Sequence, residues 1–178
     1  MEIKVAEHCG FCYGVKRAVT LAQKAATDRV QGATLGPLIH NPQLIAELAS
    51  QGIACKDSLE QFAPGETVIF RSHGVGPETY AQAEKQGLTI LDATCPNVRL
   101  AQQKAAQAAA DGYFPVIVGE KNHPEVKSIL KWAGKNAICV ECIKDISYVP
   151  RRERYGVIIQ TTFELQKFND ILQALQEQ

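Results

Sequence analysis

Three histidines, two cysteines, a glutamate and a threonine stand where this chain could assemble chemistry. The cysteines are Cys12, in His8-Cys9-Gly10-Phe11-Cys12-Tyr13-Gly14-Val15, and Cys95, in Leu91-Asp92-Ala93-Thr94-Cys95-Pro96. A thiolate at a helix start is favoured by the helix dipole, and thiolates far apart in sequence can meet on an iron–sulfur cluster. The histidines are His40, in Gly36-Pro37-Leu38-Ile39-His40-Asn41, His73, in Arg71-Ser72-His73-Gly74-Val75, and His123, in Asn122-His123-Pro124-Glu125-Val126. Imidazoles can hold diphosphate oxygens by charge-assisted hydrogen bonds, or serve as metal ligands. Glu125 suits proton delivery to a leaving hydroxyl or, more plainly, a first-turn partner of a helix dipole. Gln160-Thr161-Thr162-Phe163 adds the Thr161 hydroxyl, with Thr162 read as a helix cap.

The elements that must position these groups read as alternating strands and helices. Strands are expected at Ile3–Ala6, Ala33–Gly36, Thr67–Arg71, Leu88–Asp92, Pro115–Gly119, Ala137–Val140 and Val157–Gln160. Helices are expected at Val15–Thr27, Gln43–Gln51, Glu78–Gln86, Val98–Asp111, Glu125–Trp132 and Leu165–Gln176. Asn41-Pro42 reads as an N-cap with a first-turn proline, and Gly76-Pro77 opens the next helix. Gly52, Gly87 and Gly112 read as helix stops. The alternation predicts an α/β fold with central, mainly parallel sheets.

Cys12, His40, His73, Cys95, His123 and Thr161 each fall after an expected strand and before an expected helix. The carboxyl ends of parallel strands form the ligand crevice of open α/β sheets, and helix N-termini there suit phosphate. Six such side chains predict one convergent site. Their spacing also repeats: 28 residues separate Cys12 from His40, and 28 separate Cys95 from His123. His73 follows Cys12 by 61 positions, and Thr161 follows Cys95 by 66. This predicts two similar modules, residues 1–94 and 95–178, with a third opening where the sequence stops.

Composition narrows the partners. Nineteen Lys and Arg balance nineteen Asp and Glu, which gives no general electrostatic case for nucleic acid or an anionic membrane. No apolar run approaches the roughly 18 residues of a spanning helix. The start carries no export signal, so a cytoplasmic location is the default expectation. The six cysteines then point to metal or redox chemistry before disulfides. Cys55 reads as a buried apolar residue. Cys9-x-x-Cys12 could be a redox pair, a metal half-site or simple packing. Together with Cys139-x-x-Cys142 it would supply four thiolates for zinc, although the pairs lie far apart in sequence.

At these residues the sequence resembles the LytB/IspH family, hydroxymethylbutenyl diphosphate reductase. The matching runs are Gly10-Phe11-Cys12-x-Gly14-Val15, Ile39-His40-Asn41, Ser72-His73-Gly74-Val75, Asp92-Ala93-Thr94-Cys95-Pro96, His123-Pro124-Glu125-Val126 and Gln160-Thr161-Thr162. They keep the family's order through nearly the whole chain; Cys9 is an extra thiol with no family counterpart. The resemblance implies a trefoil of three α/β modules around a 4Fe–4S cluster, with one cysteine ligand from each. Cys12 and Cys95 match two of those ligands. His40, His73 and His123 match the residues that hold the substrate diphosphate, while Thr161 and Glu125 match those near its hydroxyl, Glu125 as proton source. Two electrons, from a donor such as ferredoxin or flavodoxin, and protons would remove water and yield isopentenyl and dimethylallyl diphosphates. The third cysteine and a Ser/Asn-rich diphosphate segment would then follow residue 178. The other reading is a non-catalytic module that binds iron–sulfur, zinc or a diphosphate.

Overall fold

A computed structural model describes residues 2–4 and 10–178. Cys9, and Val5 and Ala6 of the expected opening strand, lie outside the described residues. Ile3 and Lys4 belong to no regular element.

The first sheet holds β1 (Gly32–Leu35), β2 (Ala54–Lys56), β3 (Thr67–Phe70) and β4 (Thr89–Asp92), in the order β2-β1-β3-β4 with every pair parallel. Its helices are α1 (Tyr13–Thr27), α2 (Pro42–Ser50) and α3 (Pro77–Lys85). The second sheet holds β5 (Phe114–Val118), β6 (Ile138–Val140) and β7 (Tyr155–Ile159), in the order β6-β5-β7, again parallel. Around it lie α4 (Pro96–Ala110), α5 (Pro124–Ala133) and α6 (Leu165–Gln176). The α/β architecture with parallel sheets is as the alternation predicts.

A parallel sheet covered on both faces needs central strands that are apolar throughout. β3 meets that requirement, being buried at all four positions. Its Ile69 packs with Ala18, Ala22 and Leu48 of α1 and α2. Val68 and Phe70 face the other way, onto Leu59, Phe62 and Ala83. β5 repeats the arrangement: Val116 and Val118 meet Ile171 and Leu175 of α6, while Ile117 meets Ala105, Val126 and Ile129 of α4 and α5.

Local signals place the helix ends. Asn41 Oδ1 accepts the Leu44 N–H at 3.0 Å, with Pro42 in the first turn. Gly76 is the N-cap of α3, with Pro77 next. Gly52, Gly87 and Gly112 each follow a helix end with positive φ. α6 has the expected bounds, α1 ends at the expected Thr27, and every other helix end differs from expectation by one or two residues.

Two expectations fail. Cys55 is exposed, not buried, because β2 is the edge strand of its sheet. Thr162 does not cap α6; that position falls to Glu164, and the Thr162 hydroxyl accepts the Gln160 amide at 3.0 Å. Among the described residues no helix is long and apolar enough to cross a membrane.

Candidate functional site

Each sequence-predicted site residue sits at a carboxyl edge of a sheet or at a helix start. His40 lies between β1 and α2, and His73 between β3 and α3. Cys95 and His123 are the N-caps of α4 and α5, and Thr161 lies between β7 and α6. Cys12 is the N-cap of α1.

Backbone and side-chain hydrogen bonds stitch these junctions to one another. Ser72 donates twice to the Leu38 carbonyl, from its N–H at 3.1 Å and its hydroxyl at 3.0 Å, tying the His73 loop to the His40 loop. The Cys95 N–H donates to the Ser72 carbonyl at 2.9 Å. From α1, Arg17 donates to the carbonyls of Thr94, at 3.1 Å, and Asp92, at 3.2 Å, so the helix begun by Cys12 also holds the turn that carries Cys95.

The three imidazoles converge. Ring centroids are 4.5 Å apart for His40 and His73, 5.3 Å for His73 and His123, and 5.7 Å for His40 and His123. One nitrogen from each lies within 4.8 Å of the others, a spacing also compatible with a metal ion. Burial chiefly, then the neighbouring His40 and His123 and the Arg71 cation, pushes the His73 pKa down to about 4. His73 is therefore neutral at pH 7.

Glu125 lies beside this cluster and is only 2% exposed. Its two carboxylate oxygens accept the Thr161 N–H at 2.7 Å and the Thr161 hydroxyl at 2.9 Å. Its own N–H donates to His123 Nδ1 at 3.2 Å. The plain first-turn role does not exhaust it, since its side chain binds a loop from another strand.

The two thiols share a side of the molecule. A methyl group added at Gly14, in the first turn of α1, would overlap Cys95 Sγ. Neither cysteine side chain is used in a helix-capping hydrogen bond. Cys139 and Cys142 are not free in the same sense. The Cys139 thiol donates to the Gly119 carbonyl at 3.3 Å, and burial pushes its pKa up to about 11. The Cys142 side chain accepts a backbone bond in the capping box of the Ile143–Tyr148 turn.

Sequence reasoning missed Ser128 and Gln102. Ser128, in α5, is buried, and its hydroxyl lies 3.0 Å from both the His73 and the Glu125 carbonyls. The fully buried Gln102 of α4 donates its amide to the same hydroxyl at 2.9 Å. Gly74, with φ +74°, lets that amide approach, because a Cβ there would overlap it. No local pattern marks a serine inside a helix as such a junction.

The chain matches the family model described as "LytB protein" over residues 3–178. A 4-hydroxy-3-methylbut-2-enyl diphosphate reductase from Aquifex aeolicus is 43% identical over 177 residues, covering 97% of this chain and 61% of that protein. The reductase of the same name from Citrifermentans bemidjiense is 39% identical, with 98% and 62% covered. A solved structure of (E)-4-hydroxy-3-methyl-but-2-enyl diphosphate reductase, the terminal enzyme of the non-mevalonate pathway, superposes with a TM-score of 0.87 at 41% identity, covering 98% of this chain and 63% of that one. The structure of the E-1-hydroxy-2-methyl-but-2-enyl-4-diphosphate reductase from Plasmodium falciparum gives 0.89 at 26% identity, with 94% and 54% covered. The chain thus spans under two thirds of the length of these relatives.

Proposed function

The chain belongs to the LytB protein family, and on that premise we propose that residues 1–94 and 95–178 are two modules of a reductase. Its reaction turns 4-hydroxy-3-methylbut-2-enyl diphosphate into isopentenyl and dimethylallyl diphosphates, the last step of the non-mevalonate isoprenoid route, in the cytoplasm. The observation that carries this reading is the convergence of His40, His73 and His123 beside a buried Glu125 held by Thr161.

The cofactor on this reading is a 4Fe–4S cluster. The donor set fits as two of its ligands: Cys12 and Cys95 open neighbouring helices and have no capping bond to give up. A third cysteine would come from a third module. When bound, such a cluster supplies electrons singly and a Lewis-acidic iron. The electrons come from a donor such as ferredoxin or flavodoxin.

The chain's own residues bind and protonate. The three imidazoles grip the diphosphate oxygens, and the charge the ligand brings favours protons on them. Glu125, as the carboxylic acid, delivers a proton at the substrate hydroxyl, directly or through the Thr161 hydroxyl bonded to it. The two Thr161 bonds keep the buried carboxyl in one orientation, a precondition for directed proton transfer.

A second reading, a metal-binding module without turnover, draws on the nitrogen spacing of the histidine trio. Its zinc form with Cys139 and Cys142 is disfavoured by the hydrogen-bonded, hard-to-ionise Cys139 thiol. Anaerobic reconstitution with iron and sulfide decides between them. Cys12→Ser and Cys95→Ser should each abolish iron and sulfide retention, while Cys55→Ser and Cys142→Ser leave it unchanged. Loss of the metal on Cys142→Ser, or on His40→Ala with both site cysteines intact, would sink the cluster assignment.

A further inference from the structure

A polar cavity of about 290 Å³ opens between the ends of β1 and β3 and the first turns of α3 and α5. Arg71, Gly36, Ser58, Thr79, Lys127 and Lys131 are among its walls. None of Cys12, His40, His73, Cys95, His123, Glu125 or Thr161 lines it.

Arg71 is the unexplained group. Its Nε is buried and has no hydrogen-bond partner. None of the ion pairs among the described residues includes it. Its Nη1 packs 3.1 Å from where a Cβ of Gly36 would stand, so the glycine makes room for the guanidinium. Burial lowers its pKa from the ordinary arginine value, which Cys55 nearby only partly offsets. A buried guanidinium N–H without an acceptor is costly, and such a group in a native fold asks for a ligand or ion.

The other walls suit an anion. Lys127 is exposed at the mouth and has no ion pair among the described residues, whereas Lys131 is already paired with Glu78. Thr79 brings a hydroxyl, while the Glu78 carboxylate lies against Gly76 at the start of α3 and turns to Lys131. Asp57 and Glu60 also reach the rim, but Glu60 takes the Ser58 hydroxyl and neither pairs with Arg71. A guanidinium fork, an ammonium and a hydroxyl donor around a small volume suit an oxyanion such as phosphate.

We propose that this cavity binds a small phosphorylated anion, separately from the histidine cluster, with the half-buried Arg71 as anchor and Lys127 at the mouth. The cavity shares the 72–76 loop and the first turn of α5 with the histidine site, so its occupant touches the elements that place His73 and Glu125.

Inorganic phosphate is the probe, titrated calorimetrically into the whole protein. Saturable binding is expected, weakened at least tenfold by Arg71→Gln and severalfold by Lys127→Gln. It should persist in a His40→Ala, His123→Ala double variant, which separates this site from the diphosphate site. Lys127 is exposed, so its variant stays informative if Arg71→Gln fails to fold. Absence of saturable binding, wild-type affinity in Lys127→Gln and any folded Arg71→Gln, or loss of binding only in the histidine double variant would each overturn the proposal.

Discussion

Thr161 and Glu125, 36 positions apart in sequence, meet through two hydrogen bonds that occupy both carboxylate oxygens. One donor is a backbone N–H and cannot turn away, so the carboxyl is held in register with the β7–α6 loop.

Glu125→Gln therefore separates proton supply from architecture. The amide keeps one acceptor for Thr161 but is no useful acid. In the complete enzyme, with cluster content matched, turnover with a chemical reductant should fall by about 10²–10⁴-fold. Diphosphate affinity should stay near wild type, since the histidines are untouched. Near-normal turnover would remove Glu125 from the mechanism.

Gly14→Ala tests the placement of Cys95. The added methyl overlaps Cys95 Sγ, and one of the two must move. Alanine is the better helix former by about 1 kcal/mol, which opposes the cost of crowding. The melting temperature should change little while retained iron falls severalfold. Full iron content in this variant would show that Cys95 tolerates displacement, contrary to a ligand role.

Ser128→Ala removes the hydroxyl shared by the His73 and Glu125 carbonyls and leaves the buried Gln102 amide without its acceptor. A loss of about 1–3 kcal/mol in unfolding free energy is expected. KM for the diphosphate should rise along with it, because the His73 loop loses its tie to α5. A stability loss with unaltered KM would make Ser128 purely structural.

His73 sets a pH dependence. Its folded-state pKa of about 4 lies below the ordinary value of 6.5, so between those limits the unfolded chain binds more protons. Stability from this group is complete above about pH 6.5 and is lost as pH falls through 4. Discounted for partial solvent screening, the loss is on the order of 1–2 kcal/mol. Urea unfolding at pH 7 and at pH 4.5 should show wild type losing more stability than His73→Asn. Equal losses would mean that His73 protonates freely in the fold.

Much of this was legible in the sequence because the signals are local. Asn41-Pro42, Gly76-Pro77 and Cys95-Pro96 each announce a helix start, and apolar runs such as Thr67–Phe70 announce buried parallel strands. Junctions between the two then place His40, His73, Cys95, His123 and Thr161 without further knowledge. Three-residue β2 carries no comparable signal, and nothing in Ile53-Ala54-Cys55 reports that Cys55 is exposed at a sheet edge. Arg17, Gln102 and Ser128 act through partners 26 to 77 residues away. Nothing in their neighbours along the chain reports such a contact.

The double bond from Ser72 to Leu38 and the bond from Cys95 to Ser72 also fix where this protein can change length. An extra residue among positions 36–41, 71–76 or 93–95 would break a tie shared by two loops and shift a site residue. At the opposite edge the Gly65 N–H ties its turn to the Gly87 carbonyl at 3.1 Å. The turns at Gln51-Gly52 and Lys135-Asn136 are exposed at every residue and, among the described residues, bond only within their own loops or to the adjoining helix end. Insertions, tags and surface labels belong there, where exposed turns absorb added chain most readily.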